Sequence, residues 1–425
     1  MASTAGVAPQ PALGFVDEAK VKAELREAVL RHCGVDAIID GLVTGLVPGD
    51  AAAASAFTTS AVATGDGEVY PADLVVAADG PRSVVRALLF DDPGRHVATA
   101  TATKYPTNNP HTVAAATAAA TAAATPGVTG ILQPRGYTVF RGRSPSSGVT
   151  GRRRVTDAAF QTWGPDVRFA CVPTSTGNAW YLAVSDPRLR ERGFDPDHGL
   201  VSAPMSTLLE LCGGWHQPIP ELLEVSAGAT LAAATASAGL VGAGTGGSAS
   251  IGDVVVAGQQ AMAFRQPVPS GLSGIYRGGL AVAFVGDAAH TLDPILAQGA
   301  GVAIEDATLL ATALVGAASG DSDRAFDGPH GPLAARLAAY ESIRRPRVDR
   351  LHHISNFAQS VGHVSSPVLC AIRDAVIRGA PAGLKSPVFD HSVRASLGSG
   401  SLWQRTSAVQ LSDPALAFEE ALSAQ

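Results

Sequence analysis

The segment from Leu280 to Ala307 constrains the chain more than any other. It opens with Leu280-Ala-Val-Ala-Phe-Val285, an apolar run without a charge, and passes into Gly286-Asp287-Ala288-Ala289-His290. A short, wholly apolar run closed by a glycine reads as a strand buried on both faces, as in a parallel sheet. Thr291-Leu-Asp-Pro294-Ile-Leu-Ala-Gln298-Gly299-Ala300-Gly301 follows and opens a helix predicted from about Ala300 to Ala317, which carries Glu305-Asp306-Ala307. Buried strand, glycine turn and helix together imply an α/β layer, in which ligands lie beyond the carboxyl ends of the strands. Small residues at Gly299, Ala300 and Gly301 let a ligand approach backbone N–H groups at a helix N-terminus, where negative charge is favoured. Asp287 supplies acceptors for ligand hydroxyls.

The rest of the composition narrows the class. A chain of 425 residues is long enough for two domains, and 46% hydrophobic residues are too many for a disordered protein. A net charge of -6 offers no basic field for nucleic acid or for an anionic membrane surface. Cys33, Cys171, Cys212 and Cys370 are widely spaced and form no CxxC pair, so neither a disulfide framework nor a zinc module is expected. No apolar run reaches membrane-spanning length, and Met1 to Phe15 carries no signal or transit pattern, which reads as a soluble intracellular chain.

Along the chain, Val16 to His32 is predicted as an amphipathic helix with Val21, Leu25 and Val29 on one face and Gly34 as its stop. Ala37 to Val47 suits a strand, and Gly65-Asp66-Gly67 is a hairpin signal between strands predicted at Ala56–Thr64 and Val69–Ala78. Further strands are expected at Tyr137–Phe140, Val167–Val172 and Trp180–Val184. The Ala/Thr tract Thr99–Thr129 and the Ala/Gly/Ser/Thr tract Ala227–Ser250 read as loop insertions. Pro332 to Phe357 is helical by periodicity, with Pro346 expected to kink or interrupt it.

Two blocks carry a family resemblance. The strand, Gly286-Asp287-Ala-Ala-His290, Pro294, Gln298-Gly299 and Glu305-Asp306-Ala307 resemble the GD motif of FAD-dependent monooxygenases of the para-hydroxybenzoate hydroxylase fold group, which include aromatic hydroxylases and epoxidases. Upstream, Asp79-Gly80-Pro81-Arg82-Ser83-Val-Val-Arg86 resembles the DG motif of the same family. Gly136–Gly142, Gln161–Phe169 and Gly214-Trp215-His216 resemble segments of its substrate sheet, with Trp163, Phe169 and Trp215 expected in the core. Tyr340 to Arg347 resembles the helix after the GD region, its arginines being expected on a solvated or structural face.

The resemblance, which covers most of residues 16 to about 360, implies an α/β fold. It consists of a split FAD-binding domain, truncated at its N-terminus, with an inserted β-sheet substrate domain and C-terminal helices. Residues 1–92 would form the first part of the FAD-binding domain, 93–278 the substrate sheet, 279–330 the return with the GD motif, and 331–425 the C-terminal helices and tail. It implies FAD, with NADH or NADPH and O2 as co-substrates, for hydroxylation or epoxidation of a small apolar or aromatic compound. Asp287 would bind the ribityl chain, Gly286, Gln298, Gly299, Ala300 and Gly301 would line the flavin, and Pro294 would shape the wall over the ring. Asp79, Gly80 and Arg86 would lie near the pyrophosphate or the nicotinamide approach. No catalytic acid or base is identified, and His290 is expected to be a packed or hydrogen-bonded residue.

One departure stands out. The family begins with a strand, a GxGxxG loop and a helix for the ADP half of FAD, and nothing before Asp79 supplies that loop. Where the following helix carries an Arg in the family, Lys20 or Lys22 stands here. The literal Gly242-Ala-Gly244-Thr-Gly-Gly247 precedes a β-branched run, Val254–Val256, which suits a strand rather than the helix a dinucleotide fingerprint needs. The missing unit motivates a competing reading, a non-catalytic remnant or incomplete gene model that binds FAD weakly or not at all. His352-His353 are adjacent on a helix and poor co-ligands, and no cluster has metal-ligand spacing.

Overall fold

The computed structural model describes residues 18–47, 60–90, 132–145, 154–238, 250–264, 271–276, 279–318 and 332–379. The first helix, α1 (Glu18–Cys33), ends where Gly34 takes φ 90 and its N–H reaches the Leu30 carbonyl at 3.1 Å, the left-handed glycine stop that the sequence suggests. The Leu25 and Val29 stripe, however, stays 59% and 40% exposed. Apolar spacing makes a face available for burial without ensuring that it is buried.

A short 3-10 turn leads to β1 (Val43–Val47), which forms a three-stranded antiparallel sheet with β2 (Ser60–Thr64) and β3 (Val69–Ala72). The β2–β3 hairpin turns at Gly65-Asp66-Gly67, with Gly67 at φ 90. The strand expected from Val69 to Ala78 breaks at Asp73-Leu74. Its second half, β4 (Val75–Ala77), leaves the antiparallel sheet for another, because its partner is a strand two hundred residues later. The helix α2 (Val84–Phe90) follows.

A six-stranded sheet dominates the middle of the chain. It contains β5 (Leu132–Pro145), β6 (Phe160–Trp163), β7 (Val167–Thr174), β8 (Gly177–Ser185), β9 (Leu200–Pro204) and β10 (Val255–Phe264), in the order β6-β7-β8-β5-β10-β9. Helices α3 (Asp186–Arg190), α4 (Met205–Leu211) and α5 (Ile219–Ala238) lie between its strands in sequence. Phe140, Phe169, Trp180 and Leu182 are fully buried in one cluster with Leu222 and Leu223 of α5, each such side chain contributing about 1.5–3 kcal/mol. Gly142 is required here, since a Cβ on it would lie 2.2 Å from the Trp180 ring. Phe169 lies in the core as expected, whereas Trp163 and Trp215 are half-buried.

The tract from Ala227 is a correction. Its first part, to Ala238, is the end of α5 and not a loop insertion. Alanine is the strongest helix former, and Leu222, Leu223, Ser226 and Ala227 supply the buried face that fixes the helix on the sheet. Val255 and Val256 lie in β10, so the run after Gly242–Gly247 is a strand as read; those glycines, Thr99–Thr129 and the tail after Pro381 lie outside the described residues.

The chain then returns to β4. Strands β11 (Gly274–Ile275) and β12 (Ala281–Phe284) build the sheet β11-β12-β4, with β12 and β4 parallel. The one-turn helix α6 (Asp287–His290), a 3-10 turn at Pro294–Leu296, and α7 (Gly299–Ala318) follow; α8 (Pro332–Gly362) and α9 (Pro367–Gly379) complete the fold. Helix α8 is not interrupted at Pro346. A buried stripe of Leu337, Tyr340, Arg344, Val348 and Leu351 runs through that position and holds the helix against its neighbours. Among the described residues, no helix is long and apolar enough to cross a membrane.

Candidate functional site

The two acid–glycine turns meet at one sheet edge. Phe284 of β12 sits beside Ala77 of β4 in parallel register, and the Val285 N–H donates to the Ala77 carbonyl at 3.1 Å. Asp79-Gly80 and Gly286-Asp287 therefore leave neighbouring strands at the same carboxyl end. Gly286 takes φ 58, and a Cβ there would lie 3.1 Å from that of Ala303, so this turn needs glycine both for its backbone and for its contact with α7.

The upstream turn is occupied with holding itself together. Asp79 Oδ2 accepts from the N–H groups of Val84 at 2.7 Å and Val85 at 3.1 Å, capping α2. Arg86 is buried, donates to the carbonyls of Ala288 and of Pro81, and lies 4.8 Å over the Phe264 ring. It joins the two turns to each other.

Asp287 is different. It lies half-buried at the end of β12 and, among the described residues, its carboxylate receives no hydrogen bond. Burial raises its pKa, with His290 pulling the other way. Its Oδ1 stands 3.7 Å from where a Cβ on Gly299 would be, so the acid faces the first turn of α7. Gly299 and Gly301 are half-buried and Ala300 is exposed. Gln298 accepts from Val302 N–H through its carbonyl at 2.9 Å. Pro294 is exposed at the start of the 3-10 turn, which Asp293 caps by accepting from Ile295 N–H at 3.0 Å. The parallel strands bring Asp79, Gly80, Gly286 and Asp287 to one edge, with Arg86 bridging the two turns and Asp287 facing Gly299 at the start of α7; Asp79 and Arg86 are engaged within the protein.

Sequence reasoning assigned no role to Asp306, which anchors the downstream turn. It is fully buried and accepts from Gly286 N–H at 2.7 Å and from Arg344 Nε at 2.6 Å, with His290 Nε2 at 2.7 Å. Burial raises its pKa, but His290, Arg344 and the Gly286 amide together outweigh burial and hold it below the ordinary value. Arg344 also pairs with Glu305 at 2.7 Å, and Arg347 reaches Glu305 at 3.2 Å. The arginines of α8 are structural, as expected, and His290 is hydrogen-bonded. The signal for Asp306 was available: a lone acid at the spacing of the buried Val302, Leu310 and Ala313 requires partners.

The open face of the large sheet adjoins this edge. Tyr137, Val139 and Arg141 alternate onto one side of β5, and Tyr137 Oη reaches Asp293 next to Pro294. Farther along that side, Arg141 donates to Gln259 at 3.0 Å, and Tyr181, its cross-strand neighbour, is 43% exposed. The opposite side is closed by the core cluster beneath α5.

Comparison with known proteins bears on the fold and on the segment that contains the downstream turn. Residues 270–355 match the family described as FAD binding domain. The chain is 27% identical over 315 residues to the aurachin C monooxygenase/isomerase of Stigmatella aurantiaca, covering 74% of this chain and 57% of that protein. The chain therefore spans little more than half the length of that relative. Klebsiella pneumoniae HpxO complexed with FAD and uric acid is similar in structure, with a TM-score of 0.53 and 19% identity over 88% of this chain and 72% of that one. A variant of HpxO complexed with FAD gives a TM-score of 0.54 and 18% identity over 88% of this chain and 73% of the other. The expected mixed α/β fold of FAD-dependent monooxygenases is borne out.

Proposed function

We propose that this chain, whose fold and FAD-binding segment match those of FAD-dependent monooxygenases, binds the flavin of FAD at the Gly286-Asp287 edge. The reaction proposed is oxygenation of a small apolar or aromatic compound with NADH or NADPH and O2. One observation carries the reading: Asp287, partly buried and without a hydrogen bond from the described residues, faces the first turn of a 20-residue helix. A partly buried carboxylate with no protein donor takes its donors from solvent or from a ligand, and a polyhydroxyl chain supplies them.

The residues present fit the flavin and ribityl half of the cofactor. Asp287 would accept from ribityl hydroxyls, while Gly299, Ala300 and Gly301 would present N–H groups at the positive end of α7. Gly286 and Gln298 would line the same turn, and Pro294 would wall it. For the ADP half there is no GxGxxG turn among the described residues. Asp79 and Gly80 would border that side, with Arg86 holding the two turns in register. When bound, FAD supplies redox and oxygen chemistry that side chains lack. The protein orients the substrate on the open face beside Arg141 and Tyr181 and keeps water from the edge. The likeness to a relative named for aurachin C monooxygenation supports a small molecule as substrate. The split-domain arrangement, with the sheet of residues 93–278 inserted between flavin-binding parts, belongs to the same proposal.

The test is the visible spectrum of the purified chain after incubation with FAD and desalting. A retained band near ~450 nm, with NADH or NADPH oxidation in air, is the expected result. A chain that retains no flavin contradicts the proposal and favours a non-catalytic remnant.

A further inference from the structure

Between the open sheet face and α8 lies a buried polar cluster that the flavin-binding reading does not use. Its centre is Asp293, 2% exposed. Arg135 Nε donates to its Oδ2 at 2.8 Å, and Tyr137 Oη donates to its Oδ1 at 2.5 Å. Both donors come from β5. The same Oδ1 accepts from Ile295 N–H and so shapes the turn that begins at Pro294. Burial and the neighbouring Asp293 push the Tyr137 phenol far up, so it remains a donor at any ordinary pH.

Other elements hold the same turn. Arg135 Nη2 donates to Asn356 of α8 at 2.7 Å, and Gln359 of α8 donates to the Arg135 carbonyl at 3.1 Å. Arg168 of β7 points its Nη1 at the Ile295 carbonyl at 3.5 Å. The His363 ring, just beyond α8, stacks on Tyr137 at 4.1 Å. Gly362 packs so closely that a Cβ there would lie 3.1 Å from Ile295 Cδ1. Two residues past Ile295, Ala297 adopts φ 53, a left-handed conformation that non-glycine residues take only where their surroundings hold them in it. Immediately after it comes Gln298-Gly299, where α7 begins.

We infer that Asp293 is a positioning residue: it tethers the Pro294 turn to the substrate sheet and to α8, and so sets the N-terminal backbone of α7. This inference rests on the flavin-binding reading of that backbone. Mere domain adhesion would change stability alone, whereas a tether also changes the backbone at residues 295–301 and what that backbone binds.

The experiment uses the full chain and the variants Asp293→Asn and Tyr137→Phe. Hydrogen exchange of the peptide spanning residues 291–301 is measured without FAD, and FAD affinity is measured by fluorescence, with a thermal midpoint for each protein. For Asp293→Asn, exchange of this peptide is expected to accelerate by at least ~10-fold and the Kd for FAD to rise by ~10-fold. Tyr137→Phe should move both the same way by about 3-fold, and it carries the test if Asp293→Asn fails to fold. Unchanged exchange, or a Kd within about 2-fold of wild type with only the midpoint lowered, overturns the tether. A wild-type chain that binds no FAD overturns the functional reading, and exchange in the flavin-free protein then decides the tether alone.

Discussion

Asp306 and Asp293 flank the Gly286-Asp287 turn, and both are almost completely buried, yet they connect different parts of the molecule. Asp306 gathers Gly286, His290 and Arg344, all from the turn and the two long helices behind it. Asp293 gathers Arg135 and Tyr137 from the large sheet. The first closes the turn after β12 onto the helices behind it, and the second joins that part to the sheet. Asp287 has neither kind of support among the described residues. The contrast of two acids saturated by the protein with one that is not is what the proposed ligand-facing role of Asp287 rests on.

The contrast predicts a graded set of stability losses. Asp306→Ala leaves the buried Arg344 with Glu305 alone and the Gly286 N–H without its acceptor, and should lower unfolding free energy by about 3 kcal/mol in urea titration. Its pH signature has a definite sign. A depressed carboxylate stabilises the fold above its unfolded pKa of about 3.9 and loses that contribution as pH falls through the lower folded value. Wild type should therefore lose stability on acidification more steeply below about pH 4 than Asp306→Ala does. Tyr137→Phe removes one of three donors to Asp293 and should cost about 1 kcal/mol by the same titration. Arg345→Ala, next to Arg344 on α8, removes only a partly exposed pair with Asp349 at 3.5 Å and should cost under about 0.5 kcal/mol. If Arg345→Ala matched Asp306→Ala, burial would not be what separates these pairs.

The parts of this arrangement that the sequence made legible are local. The apolar run of β12, the Gly286-Asp287 turn, the start of α7 and the Gly65–Gly67 hairpin each lie within a dozen residues, where turn chemistry and periodicity act directly. The Ala-rich end of α5 was misread because Thr, Ser and Gly diluted its helical pattern, and its buried face depends on a sheet elsewhere in the chain. The split of β3 from β4 was hidden for the same reason, since the partner of β4 is β12. Tyr137 and Asp293 lie 156 positions apart, and Arg344 and Asp306 lie 38 apart. No spacing rule joins such residues, although a buried acid on an apolar helix face signals that a partner exists.

The account turns on Asp287 being left for a ligand. Titration of wild type and Asp287→Asn with FAD at neutral pH, beside their thermal midpoints, tests this most directly. Because burial raises the Asp287 pKa, its charge opposes folding above that pKa, and the amide should leave stability equal or raise it by up to about 2 kcal/mol. Losing charge-assisted hydrogen bonds to ribityl hydroxyls should weaken FAD binding by ~10-fold or more. Equal affinity for FAD in the two proteins would contradict the account, whatever the midpoints show.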